Sequence, residues 1–332
     1  MKRFASVCLA ALAAVIVMLC PGRTLAQDTL FRDCGENDLI AQFARIALHP
    51  VRTECMPKLA DLYCRANAGQ STLKLVEQLQ KEGCMDQYSR ILPLHESWFL
   101  QALNASQPNY QPTTSAHSNL KVGAGVIHDR VPGIQYLAIH HFGTLGTYEK
   151  AYSVLAAMEQ TDKLILDLRS SPGGMFDEMI GLAGLFAPGR GALVMTDRTA
   201  RDSQPYYAQA RGMLHGRQTL ILVDGRTASA GEMLAAYARQ ANPIGVRIMG
   251  RQTFGKSAYQ MAYFPPERHV EVSVTVGEVI VGNGKWPTLR EAHGVIPDYI
   301  LTEEFMRDGS YSLVDRVVRH GFDFFDFHRM SK

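Results

Sequence analysis

The sequence lacks an excess of charge of either sign, and this excludes two classes of partner. Its 332 residues contain 34 Lys and Arg against 32 Asp and Glu, which gives a formal net charge of +2. Nucleic acids and anionic membrane surfaces attract proteins that carry basic patches or a large positive charge. We therefore expect neither as a partner of this chain.

Metal- and cofactor-binding motifs are also missing. The chain contains no C-x-x-C pair and no H-E-x-x-H motif, which are spacings that hold zinc in many proteins. His140 and His141 are adjacent, so in a strand they would point to opposite faces and would not bind one metal together. The glycine loop at Gly173 and Gly174 does not match the G-x-G-x-x-G pattern of dinucleotide sites. The sequence thus predicts no metal and no cofactor.

The apolar run near the N-terminus is too short for a comfortable membrane span. It covers Val7 to Leu19, follows Lys2 and Arg3, and precedes a small-residue site that ends at Ala26. A membrane-spanning helix needs about 20 apolar residues, whereas this arrangement is typical of a secretory signal peptide. We expect residues 1–26 to be removed and the protein to be exported, to the periplasm or the cell exterior, with no membrane span left.

Cysteine is scarce, and its placement is uneven. Two of the six cysteines leave with the signal peptide, and the other four fall within the first sixty residues of the mature chain: Cys34, Cys55, Cys64 and Cys84. In an exported protein such a group predicts two disulfides. Three pairings are open. A zinc site would require thiolates in an oxidising compartment and is the weaker interpretation.

The composition and periodicity divide the mature chain into two parts. Residues 27–103 are predicted to form an N-terminal helical segment that two disulfides staple, with Pro57 at one helix start and Gly83 at a helix end. Residues 104–119 contain two prolines, small polar residues and no charge, which predicts a linker. Residues 120–332 would form the main domain.

Strand and helix patterns alternate in the main domain, which predicts an α/β layer fold. The predicted strands are Gly133–Phe142, Lys163–Leu168, 192–196, 218–223, Met261–Phe264, Val270–Val276 and Val279–Val281. The predicted helices are Tyr148–Met158, 176–186, 203–214, Ala230–Gln240 and Tyr311–Val318.

Ser229 lies where a strand turns into a helix. Leu220 to Val223 is a continuous apolar run, as in a parallel strand that is covered on both faces, and a helical pattern begins at Ala230. This position can present a hydroxyl beside backbone N–H groups that the first helical turn leaves unpaired. Ser229 and Glu232 also form a capping-box pattern, so the serine could instead serve only the helix start.

Lys256 follows Phe254 and Gly255 at the entrance to a strand. Burial against Phe254 would lower the pKa of the amine and make it a usable base. In an extended segment Gln260 would share the face of Lys256 and could hold the amine or the substrate.

The loop at Gly173 and Gly174 follows the predicted strand that ends near Asp167 and precedes a helix. Paired glycines let the backbone approach a ligand closely and expose N–H groups to an anion. An ordinary strand-to-helix turn is the alternative.

Four blocks of this sequence, taken together, resemble the C-terminal processing (tail-specific) serine peptidases of family S41. The blocks are Asp167–Gly174, Thr227–Glu232, Thr253–Gln260 and Gly294–Asp298, and the resemblance covers roughly residues 120 to 300. It implies a crotonase/ClpP-like β/α core and cleavage of a protein or peptide substrate without a cofactor.

The resemblance also implies a role for each site residue. Ser229 would be the nucleophile, Lys256 the general base and Gln260 its assistant. The N–H of Ala230 would form the oxyanion hole with Gly173 or Gly174. Glu232 would support the site or cap the helix.

Two departures from the family pattern remain. The interval from Ser229 to Lys256 is slightly longer than usual, which a loop around Asn242 and Pro243 could absorb. Many members of this family carry a PDZ domain before the catalytic core, and residues 104–133 leave no room for one.

A catalytically silent binding protein of the same fold, as in the retinoid-binding relatives, is one alternative. An α/β-hydrolase with His293 as the base is the other, although Thr227 replaces the first glycine of G-x-S-x-G. The sequence leaves the oligomeric state open.

Overall fold

A computed structural model gives the architecture of the chain. It describes residues 43–44, 47–48, 51–97, 126–131, 133–142, 146–159, 163–199, 202–209, 212–265, 269–282, 293–307, 316–321 and 325. The predicted signal peptide, the linker at 104–119 and Cys34 lie outside these residues. The chain divides into two compact units, one with the residues up to Ser97 and Gln260–Val276, the other with Trp98–Tyr259 and the residues from Gly277 onwards.

The elements are numbered in chain order. The helices are α1 (Met56–Asn67), α2 (Leu73–Lys81), α3 (Thr147–Ala156), α4 (Phe176–Gly184) and α5 (Ala230–Ala241). The strands are β1 (Arg90–Pro93), β2 (Val126–Val131), β3 (Ile134–Ile139), β4 (Lys163–Asp167), β5 (Leu193–Thr199), β6 (Ser203–Tyr207), β7 (Thr219–Val223), β8 (Val246–Gly250), β9 (Ala258–Tyr263), β10 (Val270–Val281) and β11 (Tyr299–Ile300).

The smaller unit combines the N-terminal helices with a strand from late in the chain. Pro57 lies in the first turn of α1, and Gly83 follows the end of α2 with a φ of +71°, as the sequence predicts. A disulfide joins Cys55 to Cys84, and Cys64 is disulfide-bonded as well. β1 pairs antiparallel with the first residues of β10, from Arg90 opposite Ser273 to Pro93 opposite Val270.

The larger unit is built on a six-stranded sheet in the order β11, β8, β7, β4, β3, β2. Its neighbours pair in parallel except β2 and β3, which form an antiparallel pair. The carboxyl ends of β4, β7 and β8 therefore lie at one edge of the sheet. The three loops that follow these strands carry the candidate site, in keeping with the usual place of ligands in open α/β sheets.

Both faces of this sheet are covered, which explains the continuous apolar runs of its strands. Leu220 and Leu222 face one core with Val317 and Val318 near the C-terminus, whereas Ile221 and Val223 face the core that the helices share. Side chains alternate between the faces of a strand, so a strand buried on both sides needs apolar residues at every position. The interpretation of 220–223 as a buried parallel strand is confirmed.

Two predicted elements differ in the structure. The helix predicted at 203–214 is wrong, because Ser203–Tyr207 is a strand that pairs antiparallel with β5. Pro205 is disfavoured in a helix interior, and the tyrosines after it suit a strand. The two strands predicted at Val270–Val276 and Val279–Val281 are one strand, because Gly277 and Glu278 continue the ladder opposite β5.

The α/β class is confirmed, and the described residues contain no helix that is long and apolar enough to cross a membrane. The last predicted helix falls partly outside the described residues, which are helical at 316–321.

Candidate functional site

Ser229 stands between the end of β7 and the start of α5 in a strained turn. Its φ of +52° lies in the left-handed region, which residues other than glycine seldom adopt. Such strain persists only where the surroundings impose it, and it clusters at functional sites. The side chain is mostly buried, with 8% of the residue exposed.

Hydrogen bonds join the turn at Ser229 to the glycine loop. Asp224 accepts from the N–H of Ser170 at 2.9 Å, and the hydroxyl of Thr227 donates to the carbonyl of Leu168 at 2.8 Å. The N–H of Ala228 donates to the carbonyl of Ser171, also at 2.8 Å. The loops after β4 and β7 are therefore fixed to one another by three short bonds that come just before Ser229 in the chain.

Gly173 is pressed directly against the turn that carries the serine. A Cβ at this position would lie 2.7 Å from the Cβ of Ser229 and 2.8 Å from the backbone nitrogen of Ala230. Its φ of +94° is also a glycine conformation. Only glycine therefore fits at position 173.

The backbone N–H groups around Ser229 point to an anion-binding arrangement. Gly173 accepts from the N–H of Phe142 at 2.9 Å through its carbonyl. Across the residues that the structure describes, the N–H groups of Ala230, Gly173 and Gly174 have no hydrogen-bond acceptor. Unpaired N–H groups at a helix start favour a negative charge.

Glu232 connects the serine turn to the lysine loop. This fully buried carboxylate accepts the N–H of Ser229 at 2.8 Å and the N–H of Lys256 at 2.9 Å on the same oxygen, Oε2. The distance between the two backbone nitrogens therefore cannot exceed the sum of these two hydrogen-bond distances. Oε1 accepts the N–H of Gly255 at 2.6 Å and the hydroxyl of Thr253 at 2.5 Å.

The capping interpretation of Glu232 is confirmed, whereas its role in supporting the site stays a prediction. Ser229 and Glu232 form a capping box at the start of α5. The same carboxylate also accepts hydrogen bonds from the loop that carries Lys256, which a helix cap alone does not require. The sequence pattern identified the residue, but only the structure reveals the second set of donors.

The loop around Lys256 is held by the last of the four blocks. The N–H of Val295 donates to the hydroxyl of Thr253 at 2.6 Å, and the N–H of Thr253 donates to the carbonyl of Val295 at 3.2 Å. Phe254 is 58% exposed, and burial of the Lys256 amine against that ring stays a prediction. Lys256 itself is half-buried.

Beneath the glycine loop lies a buried ion pair. Arg169 Nη2 is 2.6 Å from Asp167 Oδ2, and both side chains are almost fully buried. The hydroxyl of Tyr136 donates to the same carboxylate at 2.9 Å. This pair lies at the start of the loop, and the charges of both residues act on His140.

His140 and His141 follow β3 at the same edge of the sheet. Burial lowers the pKa of His140, while Asp167 opposes this effect and Arg169 adds to it. Burial likewise lowers the pKa of His141, with smaller contributions from His140 and Lys150. Among the described residues no three His, Cys, Asp or Glu side chains are grouped as metal ligands.

Gln260 belongs to the smaller unit, where its side chain joins a hydrogen-bond network that the sequence did not reveal. Its Nε2 donates to the hydroxyl of Thr275 at 3.2 Å, and that hydroxyl donates to Asp86 at 2.8 Å. Asp86 and Thr275 carry no motif of their own, and 189 residues separate them. The site so described offers a hydroxyl, an amine on a neighbouring loop, and unpaired N–H groups beside the hydroxyl.

The part of the chain that carries this site resembles known proteins. Peptidase family S41 matches residues 133–301, about half of the chain. The "Carboxy-terminal processing protease CtpA" of Bacillus subtilis (strain 168) is 27% identical over 180 residues, which cover 50% of this chain and 38% of that protein. The "Carboxyl-terminal-processing protease" of Synechocystis sp. is 29% identical over 185 residues, with 54% and 41% covered.

The chain thus matches about two fifths of the length of these curated relatives. Among solved structures, a lipoprotein from Streptococcus agalactiae has a TM-score of 0.55 and 14% identity, and the match covers 86% of this chain and 95% of that one. This likeness concerns the fold alone. From the match to the family over residues 133–301, the chain belongs to peptidase family S41.

Proposed function

We propose that this protein hydrolyses peptide bonds, with Ser229 as the nucleophile and Lys256 as the general base. The observation that carries the proposal is the shared bond of Glu232 Oε2 to the N–H groups of Ser229 and Lys256. A nucleophile and its base must be held within hydrogen-bond reach of each other. A buried carboxylate that accepts hydrogen bonds from the backbone of both residues is suited to that task.

In the proposed reaction, neutral Lys256 takes the proton of the Ser229 hydroxyl as Oγ attacks the carbonyl carbon of the substrate. The carbonyl oxygen becomes an oxyanion that accepts hydrogen bonds from Ala230 N–H and from Gly173 or Gly174. The C–N bond then breaks as the lysine gives its proton to the leaving amine. Water, deprotonated by the lysine, releases the acyl group, and the proton returns to Oγ.

The close approach of Gly173 supports this oxyanion hole. A Cβ added to Gly173 would lie 2.8 Å from the nitrogen of Ala230, so two chain segments come together where the oxyanion would form. Preorganised donors of this kind are worth about 3–4 kcal/mol of transition-state stabilisation each. Gln260 is proposed to assist the lysine from four residues further along the chain.

We further propose that the substrates are proteins or peptides and that the core is of the crotonase/ClpP type. The names of the curated relatives, carboxy-terminal processing proteases, support the substrate class. The family match leaves the α/β-hydrolase alternative with His293 without support.

We also propose that the chemistry takes place outside the cytoplasm. The disulfide between Cys55 and Cys84 supports an oxidising compartment, because disulfides seldom persist in a reducing cytosol. It agrees with the signal peptide expected at residues 1–26.

The test is a digest of a reduced and alkylated, unfolded protein by the purified chain, with peptide products identified by mass spectrometry. Ser229→Ala and Lys256→Ala should each lower the rate at least about a thousandfold. The exposed residues Ser153 and Lys74 give matched controls, and Ser153→Ala and Lys74→Ala should cleave as the parent does.

Two results would refute the proposal. Full activity of Lys256→Ala would remove the lysine from the mechanism. A parent protein that binds the unfolded substrate without cleaving it would favour the silent binding protein.

A further inference from the structure

Two neighbouring loops of the larger unit each contain a serine in a backbone conformation that serine seldom adopts. Ser170 in the glycine loop has a φ of +57°, and Ser229 in the serine turn has a φ of +52°. Such a conformation is strained, and it persists only where neighbouring groups impose it. Glu232 binds the N–H of Ser229, and a second carboxylate binds the N–H of Ser170.

Asp224, the residue that follows β7, is this second carboxylate. Its Oδ1 accepts from the N–H of Ser170 at 2.9 Å, and its Oδ2 accepts from the hydroxyl of the same residue at 3.1 Å. Oδ1 also accepts from the N–H groups of Arg226 and Thr227, both at 3.0 Å. The Asp224 side chain is only 14% exposed, so water competes little for these bonds. One carboxylate therefore joins the start of the serine turn to the strained residue of the glycine loop.

The chain between Ser170 and Gly173 has little freedom, so a change at the serine would be passed on to the glycine. The ring of Pro172 fixes its own φ, and the carbonyl of Ser171 accepts the N–H of Ala228 at 2.8 Å. Gly173 is packed so closely that an added Cβ would lie 2.7 Å from the Cβ of Ser229. A small displacement of this loop would therefore move the N–H of Gly173 relative to the serine turn.

We propose that Asp224 is a positioning residue for the oxyanion hole and acts by holding Ser170 in its strained conformation. The inference rests on the proposed function, in which Gly173 or Gly174 donates to the oxyanion. Without the carboxylate, Ser170 relaxes towards a negative φ and the glycine loop moves away from the serine turn. The oxyanion forms only in the transition state, so the loss falls on kcat rather than on KM.

The test compares variants of the intact protein, with kcat and KM of peptide cleavage measured separately. Asp224→Ala removes both acceptors of Ser170 and should lower kcat roughly tenfold to a hundredfold, with KM little changed. Asp224→Asn should keep most of kcat, because its carbonyl oxygen can accept the same N–H groups and its NH₂ can donate to the Ser170 hydroxyl. Adding Ser170→Gly to Asp224→Ala should raise kcat at least about fivefold, because glycine adopts a positive φ without strain.

Asn242→Ala is the matched control for a loss of stability. The buried side chain of Asn242 accepts the N–H of Gly245 and donates to the carbonyl of Arg217, both at 3.0 Å. This turn precedes β8 and so lies at the opposite edge of the sheet from the site. Asn242→Ala should lower the melting temperature and leave kcat near that of the parent. If Asp224→Ala does not fold, Asp224→Ser replaces it, because a serine hydroxyl can still stabilise the turn at Thr227.

The outcomes separate this inference from the proposed function. If Ser229→Ala is inactive while Asp224→Ala has the kcat of the parent, the positioning role is wrong and the nucleophile stands. No recovery of kcat on adding Ser170→Gly to Asp224→Ala would also overturn it, because the loss would then not pass through Ser170. If Ser229→Ala remains active, the proposed function and this inference fail together.

Discussion

Replacing Glu232 with glutamine removes one acceptor oxygen from a site that needs two. The carboxylate receives four donors at 2.5 to 2.9 Å. In the glutamine, Oε1 can keep the N–H groups of Ser229 and Lys256. The new NH₂ group then faces the hydroxyl of Thr253, which can accept, and the N–H of Gly255, which cannot.

The cost follows from this count. One buried N–H without an acceptor costs about 1–3 kcal/mol, and the remaining bonds lose the strength that a charged acceptor gives them. We expect Glu232→Gln to lower the free energy of unfolding by about 2–4 kcal/mol. For a unit of this size the melting temperature would fall by roughly 5–12 °C.

The loss of activity in Glu232→Gln should exceed what the loss of stability alone would cause. The reason is that one carboxylate no longer holds the loops that carry Ser229 and Lys256. A misplacement of reacting groups by 1 Å can cost about a hundredfold in rate, and we expect a loss of kcat of that order. Thermal unfolding followed by circular dichroism and peptide cleavage measured well below the melting temperature would check both values.

Glu178 provides the matched control. It is also buried, and it accepts two backbone N–H groups, those of Gly146 at 3.0 Å and Tyr148 at 2.6 Å. Glu178→Gln should lower the melting temperature by a similar amount and leave kcat nearly unchanged. Equal losses of kcat in Glu178→Gln and Glu232→Gln would refute the reasoning, as would a Glu232→Gln protein with the stability and activity of the parent.

Three further predictions concern other parts of the chain. Gly173→Ala would place a Cβ within 3 Å of two backbone atoms and should lower kcat about a hundredfold, measured by peptide cleavage; an active variant would disprove the oxyanion hole. Replacing both Cys55 and Cys84 with alanine opens a loop of 29 residues and should cost about 3–4 kcal/mol in urea unfolding, so an unchanged midpoint would contradict this. Burial lowers the pKa of His140 and His141 below 6.5, so on acidification the unfolded chain binds protons before the folded chain does. The melting temperature should therefore fall as pH drops from about 7 to 5, and the fall should be weaker in His141→Asn.

Local sequence was sufficient for the parts of the fold that depend on neighbouring residues. The strand at 220–223, the turn after it and the helix from Ala230 follow from apolar periodicity and a capping pattern, which act within a few residues. The helix predicted over 203–214 failed because the strand there depends on pairing with β5, a contact that the period of the sequence does not encode.

The site was predictable to the same extent. Ser229 and Glu232 belong to one local pattern, so they were found together. The bond from Glu232 to the N–H of Lys256 spans 24 positions, and the bond between Asp86 and Thr275 spans 189. Contacts of this length depend on the fold, and nothing in the residue types of Asp86 or Thr275 marks them as partners.

The pairing of β1 with β10 has a consequence for how the polypeptide matures. Ser89 bonds to a residue 186 positions later, so the early segment finds its strand partner only after most of the protein has been synthesised. At about 5–20 residues per second, that interval lasts roughly 10–40 s. A truncated product that stops before residue 270 lacks β10, the strand that pairs with β1, and fragments for expression should retain both segments.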